Sequence, residues 1–144
     1  MGSKLLLATV NSPLGVKDRL GDLVAIRHPM NGNADYSMAV GNKLTPGTAV
    51  IRMKVSNDEL IQTAASTVTA LRNKAPELGA MLLVHCGGRR AGIGDRIDGV
   101  VKGVQQAAGG VPFIMEFTFG EYGYEDDGRN TCGGLMLYYT SFPK

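Results

Sequence analysis

A thiol, two glycines and an arginine follow one another directly after a short apolar run. Met81–Cys86 is typical of a strand buried on both faces, and Cys86 is followed by Gly87, Gly88 and Arg89. Consecutive glycines let backbone N–H groups turn toward one point, and arginine adds forked donors that suit a carboxylate or a phosphate. The sequence therefore predicts either an anion-friendly loop or a tight strand-to-helix turn with solvated arginines.

The glycine-rich stretch 87–94 matches neither of two common phosphate-binding motifs. A phosphate loop needs Lys and then Ser or Thr after its last glycine, whereas Gly92 is followed by Ile93. The dinucleotide motif needs a third glycine where Ile97 stands. We therefore expect no cofactor.

A carboxylate follows the next predicted strand, Phe113–Phe119. Thr118 lies near the end of this strand, and Gly120 and Glu121 follow it directly. A carboxylate just past a buried strand often lies at the mouth of a site, where it can bind a ligand amine. A solvent-facing glutamate at a strand end is the alternative.

Cys86 is also the residue with which this chain could perform nucleophilic catalysis. His85 is its neighbour in a strand and therefore points to the opposite face, which leaves the distant His28 as the candidate base. A buried, inert thiol is the alternative. The two histidines and the two cysteines, Cys86 and Cys132, show no metal-ligand spacing. We expect no metal site and no disulfide scaffold.

The elements that must position these residues are those of an α+β domain. Four strands are predicted first, over Leu5–Val10, Leu23–Arg27, Tyr36–Val40 and Ala49–Val55. A helix starts at the capping box Ser56–Glu59 and ends near Pro76, and a second helix covers about Asp95–Ala108. The Met81–Cys86 strand lies between the helices, and the final hairpin joins Phe113–Phe119 to Leu135–Phe142 through a turn at Asp126–Asn130. The predicted order is ββββαβαββ, in a mixed, mainly antiparallel sheet of about six or seven strands with two principal helices.

Composition limits the classes of protein that this chain can be. Its 144 residues are 44% hydrophobic and 19% charged, which fits one globular domain and excludes an intrinsically disordered chain. The net charge of +2 gives no field strong enough to predict nucleic-acid binding. The apolar run Leu5–Val10 is too short for a secretory signal or a membrane span, so we expect a cytoplasmic protein without a membrane partner. Residues 1–3 are typical of a cloning scar, which suggests that residues 1–144 are one domain, the C-terminal part of a longer protein.

Several motifs arrive in an order that resembles one family. Cys86–Arg89 is a C-x-x-R loop followed by a helix, and Pro112 leads a strand that ends in the aromatic-T-aromatic-G-E motif Phe117–Glu121. Asn130 and the threonine after it form an N-T turn. The first half agrees at three further segments: Ser12–Val16, Leu44–Gly47 and Ser56–Glu59. By these motifs the chain resembles the FIST C-terminal domain over nearly its whole length.

The resemblance implies an intracellular sensory or signal-transduction domain, normally preceded by a FIST N-terminal domain and without established catalysis. It implies a small ligand, proposed to be an amino acid, whose carboxylate and amine would meet Arg89 and Glu121 in one shared hollow. The family also occurs in F-box proteins that recruit substrates, so a protein-interaction module is the alternative, and a Cys86-dependent enzyme is the second alternative. The predicted ligand-binding residues are Cys86, Gly87, Gly88, Arg89, Thr118, Gly120, Glu121 and Asn130.

Overall fold

The computed structural model describes residues 2–17, 20, 23–124 and 130–144 of the chain. Its first half contains α1 (Gly2–Ala8), β1 (Leu14–Lys17), β2 (Leu23–Arg27), β3 (Pro29–Gly32), β4 (Met38–Val40), β5 (Val50–Arg52) and α2 (Asn57–Lys74). Its second half contains β6 (Leu78–Cys86), α3 (Gly87–Ile93), α4 (Ile97–Ala108), β7 (Phe113–Thr118), β8 (Glu121–Tyr124), β9 (Asn130–Gly133) and β10 (Leu137–Pro143). One turn of 3-10 helix, Gly94–Arg96, joins α3 to α4. The predicted α+β class is confirmed.

The strands of the described residues are divided among four small sheets. One sheet has the order β2-β1-β5, another has the order β10-β6-β7, and the pairs β3-β4 and β8-β9 complete the set. The central strand β6 runs antiparallel to β10 and parallel to β7. The strands of the first half are short, and register shifts interrupt two of their ladders.

The core lies between the β6 sheet and two helices. Helix α2 begins at the predicted capping box, in which Ser56 Oγ accepts from the Glu59 N–H and the Glu59 carboxylate accepts from the Ser56 N–H. Helix α4 packs against α2, and Gly103 allows a close approach because a Cβ there would lie 3.3 Å from the Ala65 Cβ. The buried side chains of these elements include Leu60, Ala64, Val68, Met81, Leu83, Val100, Val104 and Ala108.

Two segments differ from the sequence-based prediction. The run Leu5–Val10 was predicted as a strand, but Gly2–Ala8 forms helix α1, which lies against β3 and α3. A six-residue apolar run cannot distinguish a buried strand from a buried helix by periodicity alone. The stretch 87–94 was predicted as a loop, but most of it is helix α3, which Gly94 ends with a φ of 63°.

The remaining predicted elements agree in kind and approximate place. The second predicted helix corresponds to the 3-10 turn and α4, and the strands predicted at residues 81–86, 113–119 and 135–142 correspond to β6, β7 and β10. The predicted final hairpin is wrong, because β6 lies between β7 and β10 in the sheet and the β8-β9 pair comes between them along the chain. The turn predicted over Asp126–Asn130 lies outside the described residues except for Asn130. None of the described helices has both the length and the apolar composition that a membrane crossing requires.

Candidate functional site

A cavity of about 280 Å³ lies where the end of β6 and the start of α3 meet the two hairpins. Most of its wall is apolar or glycine, contributed by Leu6, Met30, Gly41, Gly87, Gly88, Ala91, Phe119, Gly120, Tyr122, Gly133, Gly134 and Leu135. Polar or ionisable groups come from the Tyr122 hydroxyl and from five further residues, namely His28, Asn42, Cys86, Glu121 and Cys132. The cavity therefore combines an apolar lining with a small number of groups that could orient a ligand.

Glu121 supplies the buried carboxyl group of this cavity. It is the first residue of β8, and only 1% of it is exposed. Burial raises the pKa of Glu121, and hydrogen bonds from the Cys86 thiol, the Met136 N–H and the Thr118 hydroxyl oppose that rise. The Thr118 hydroxyl lies 3.4 Å from Glu121 Oε1. The carboxyl is thus held by neutral donors, and no cation accompanies it among the described lining residues.

Cys86 caps helix α3 at the cavity wall. Its Sγ accepts a hydrogen bond from the Gly88 N–H at 3.3 Å. Burial raises the pKa of the Cys86 thiol, and the nearby Glu121 carboxylate raises it further. At neutral pH the sulfur is therefore a protonated thiol, which is a weak nucleophile.

His28 reaches the same wall from the first half of the chain. A Cβ placed on Gly88 would lie 3.4 Å from Cys86 Sγ and 3.5 Å from His28 Cε1, so both side chains border this one glycine. His28 Nε2 lies 2.8 Å from the Leu6 carbonyl oxygen, which can only accept, so Nε2 carries the proton. Burial lowers the pKa of His28, and the imidazole is neutral at physiological pH.

Arg89 does not line the cavity. Its guanidinium is buried against α2, where it donates to the Leu60 carbonyl at 2.8 Å and to the Thr63 hydroxyl. It also donates to the Leu135 carbonyl at 3.4 Å. The prediction that Arg89 and Glu121 face one shared hollow is therefore wrong. Helix α3 starts immediately after Cys86, and Arg89 lies on the side of α3 that faces α2.

The other predicted site residues divide between the cavity and its surroundings. Gly87, Gly88 and Gly120 line the cavity together with Cys86 and Glu121. Thr118 reaches it indirectly, through its hydrogen bond to Glu121. Asn130 is exposed at the start of β9 and does not belong to the described lining.

Gly87 is a position where the fold leaves no room for a side chain. A Cβ there would lie 3.0 Å from the Thr118 carbonyl oxygen and 3.1 Å from Phe119 Cε1. Backbone of the segment that carries Glu121 thus lies directly on the start of α3. The segments that carry Cys86 and Glu121 therefore approach each other closely at this glycine.

His85 lies outside the cavity lining, on the opposite side of β6 from Cys86, as its adjacent position in the strand predicts. Its ring is buried, contacts Phe117 edge-on with centroids 5.2 Å apart, and lies with Nδ1 3.1 Å from the Cys86 carbonyl oxygen. Burial lowers the pKa of His85 to about 4. This histidine is therefore a neutral core residue rather than a base for the thiol.

Sequence reasoning missed three polar lining residues in the first and last parts of the chain. His28 was considered only as a distant base, and neither Asn42 nor Cys132 was placed at a site. The Cys132 thiol donates to Asn42 Oδ1 at 3.1 Å, which joins β9 to the loop after the β3-β4 hairpin. No motif marks these residues, because tertiary packing alone brings them together. Within the described part of the chain, no group of three or more His, Cys, Asp or Glu residues could hold a metal ion.

The family model described as the FIST C domain matches residues 2–124. This chain belongs to the FIST C domain family. The family is associated with the sensory domains of signal transduction, which agrees with the resemblance seen in the sequence motifs. Searches of curated proteins and of solved structures returned no match.

Proposed function

We propose that this FIST C domain is a sensory domain that binds a small organic amine beside Glu121. The observation that carries the proposal is a carboxyl group, 1% exposed, in an apolar cavity whose described lining contains no lysine or arginine. A buried carboxylate without a cation is costly, and a ligand ammonium would compensate it. A ligand that supplies this charge would therefore be favoured over a neutral one of the same shape.

The walls of the cavity suit the rest of such a ligand. Phe119 and Tyr122 line it while remaining largely exposed, so their rings are available to an apolar substituent or to the face of an ammonium group. Leu6, Met30 and Leu135 add aliphatic surface. The proposed ligand thus has a cationic amine at one end and an apolar body at the other.

An amino acid is a narrower form of this proposal. Its amine would meet Glu121, but its carboxylate would find only neutral donors, such as the Asn42 amide, among the described lining residues. Arg89, the expected partner of that carboxylate, is engaged by α2 and Leu135. We therefore place simple amines ahead of amino acids as ligands. In this proposal a FIST N-type domain or another partner protein receives the resulting signal.

Calorimetric titration with three compounds of matched shape tests the proposal. The compounds are 3-methylbutylamine, 3-methylbutanol and leucine, which share the branched apolar part. The amine is expected to bind most tightly, and Glu121→Gln is expected to weaken it roughly ten- to hundredfold, the range for a lost hydrogen bond to a charged group. Glu77→Gln, at an exposed residue before β6, is the matched control and should bind like the unmodified protein. Absence of binding by all three compounds, or unchanged amine affinity in Glu121→Gln, would refute the proposal.

A further inference from the structure

The outer edge of β7 is open. β7 is the last strand in the order β10-β6-β7, and none of the strands in the described ranges pairs with its other side. The backbone N–H and C=O groups along that side therefore lack ladder partners within the described chain. Such a row of donors and acceptors is a template for another strand.

This edge lacks several of the features that protect a sheet from strand addition, and its one charged side chain is Glu116. β7 keeps a regular register with β6 from Phe113 to Thr118 and contains no proline, lysine or arginine. The opposite edge strand, β10, ends in Pro143 and has a register shift beside it. Proline, bulges and lysine are the common means of blocking an edge, so β7 is the more receptive of the two.

The exposed side chains along β7 indicate which side chains a partner strand would carry. Ile114 is 66% exposed, and Glu116 is exposed two residues further along the strand. Ile114 lies opposite Leu82 and Glu116 lies opposite Val84 in the register with β6, so both project from one face of the sheet. Glu116 has no ion-pair partner among the residues described. The edge thus offers an apolar side chain and a free carboxylate on the same face.

We propose that β7 receives a β-strand from a partner protein, with an apolar side chain facing Ile114 and a lysine or arginine facing Glu116. An extended segment is required because a helix satisfies its own backbone and would leave the edge unpaired. A second copy of this chain fits less well. Two-fold antiparallel pairing of β7 with itself, centred on Glu116, would place the two Glu116 carboxylates directly opposite each other. Pairing centred on Met115 would place each Glu116 opposite Ile114 of the other copy, and in neither register does β7 supply a basic residue. This proposal goes beyond the amine-binding function and does not depend on it.

Two fluorescent nine-residue peptides provide the probes. Both carry valine at the other odd positions and threonine at the even positions, so that valine shares a face with the central residue, and they differ only in a central lysine or glutamate. The unmodified protein is expected to bind the lysine peptide roughly three- to tenfold more tightly than the glutamate peptide, as cross-strand charge pairs allow. Glu116→Lys should reverse that preference, and the exposed control Glu77→Lys should leave it unchanged. Bound peptide should also slow amide hydrogen exchange over residues 113–118.

Three results would overturn the proposal. The first is that neither peptide binds and exchange over residues 113–118 is unchanged. The second is that Glu116→Lys keeps the original preference, which would show that binding does not use this edge. The third is that sedimentation shows the protein alone to be a dimer in which residues 113–118 are already protected, which would assign the edge to a second copy.

Discussion

The guanidinium of Arg89 donates to the carbonyl oxygen of Leu135, 46 residues away, across 3.4 Å. Leu135 is a buried cavity-lining residue with a left-handed backbone conformation, φ 58°. The same guanidinium holds the Leu60 carbonyl of α2. Arg89 therefore joins α3, α2 and the turn before β10, and it supports the cavity wall without contacting a ligand.

Arg89→Met should destabilise the fold by about 2 kcal/mol, because it removes the buried donor to the Leu135 carbonyl oxygen and one of the donors to the Leu60 carbonyl oxygen, to which the Thr63 hydroxyl also donates. Urea unfolding followed by circular dichroism measures the change. Lys102→Met, at an exposed position of α4, is the control and should fall within about 0.5 kcal/mol of the unmodified protein. Equal stability of the two variants would contradict the supporting role of Arg89.

Gly87→Ala should both destabilise the protein and weaken amine binding. The added Cβ would lie 3.0 Å from the Thr118 carbonyl oxygen, so the backbone of the Glu121 segment must move, at a cost of about 1–3 kcal/mol. Gly120→Ala is the comparison, since its Cβ would lie no nearer than 3.4 Å to the Tyr122 ring. Thermal unfolding and calorimetry on both variants separate the two effects. A Gly87→Ala protein as stable as Gly120→Ala would show that the contact is not tight.

Cys86 should react slowly with iodoacetamide at pH 7. Burial raises the pKa of its thiol above the ordinary value of about 8.5, and only the thiolate reacts. Cys132→Ser leaves Cys86 as the single thiol, so mass spectrometry of that variant over pH 6–10 gives its rate and apparent pKa. A rate matching a free thiol, with an apparent pKa below the ordinary value, would instead support a Cys86-dependent enzyme.

Stability should fall as pH rises through the raised pKa of Glu121. Because burial raises the pKa of Glu121 in the folded state, its protonated form stabilises the fold fully below the unfolded-state pKa. That contribution is lost as pH rises through the folded-state pKa. Glu121→Gln cannot ionise, so the difference in unfolding free energy between it and the unmodified protein should change in this window. A pH-independent difference would show that burial does not perturb the carboxyl.

Local patterns allowed the sequence to predict part of the structure. The capping box Ser56–Glu59 predicts where α2 begins, and the apolar run bounded by glycines predicts β6. Two predicted strand ends and the family resemblance place Cys86, Gly87, Gly88, Gly120 and Glu121 at one site, and the structure has all five in the lining of one cavity.

Other features depend on packing that no local pattern records. The glycine pair 87–88 is compatible with a loop or with the start of a helix. In the structure Cys86 caps helix α3 at this point, and Arg89 therefore lies on the helix side that faces α2. His28 lies between β2 and β3 and joins the cavity where α1 packs against β3, with the Leu6 carbonyl oxygen of α1 accepting from its ring. Helix α1 itself was predicted as a strand.

The most direct test of the central claim is a carbon-13 NMR titration of the Glu121 side-chain carboxyl, with and without 3-methylbutylamine. Without ligand, the carboxyl should titrate above the ordinary glutamate pKa, since burial disfavours its charged form. With saturating amine, the bound ammonium should lower that pKa by at least about one unit, which corresponds to tenfold tighter binding to the ionised carboxyl. A Glu121 titration that the amine leaves unchanged would contradict the claim that this carboxyl receives the ligand.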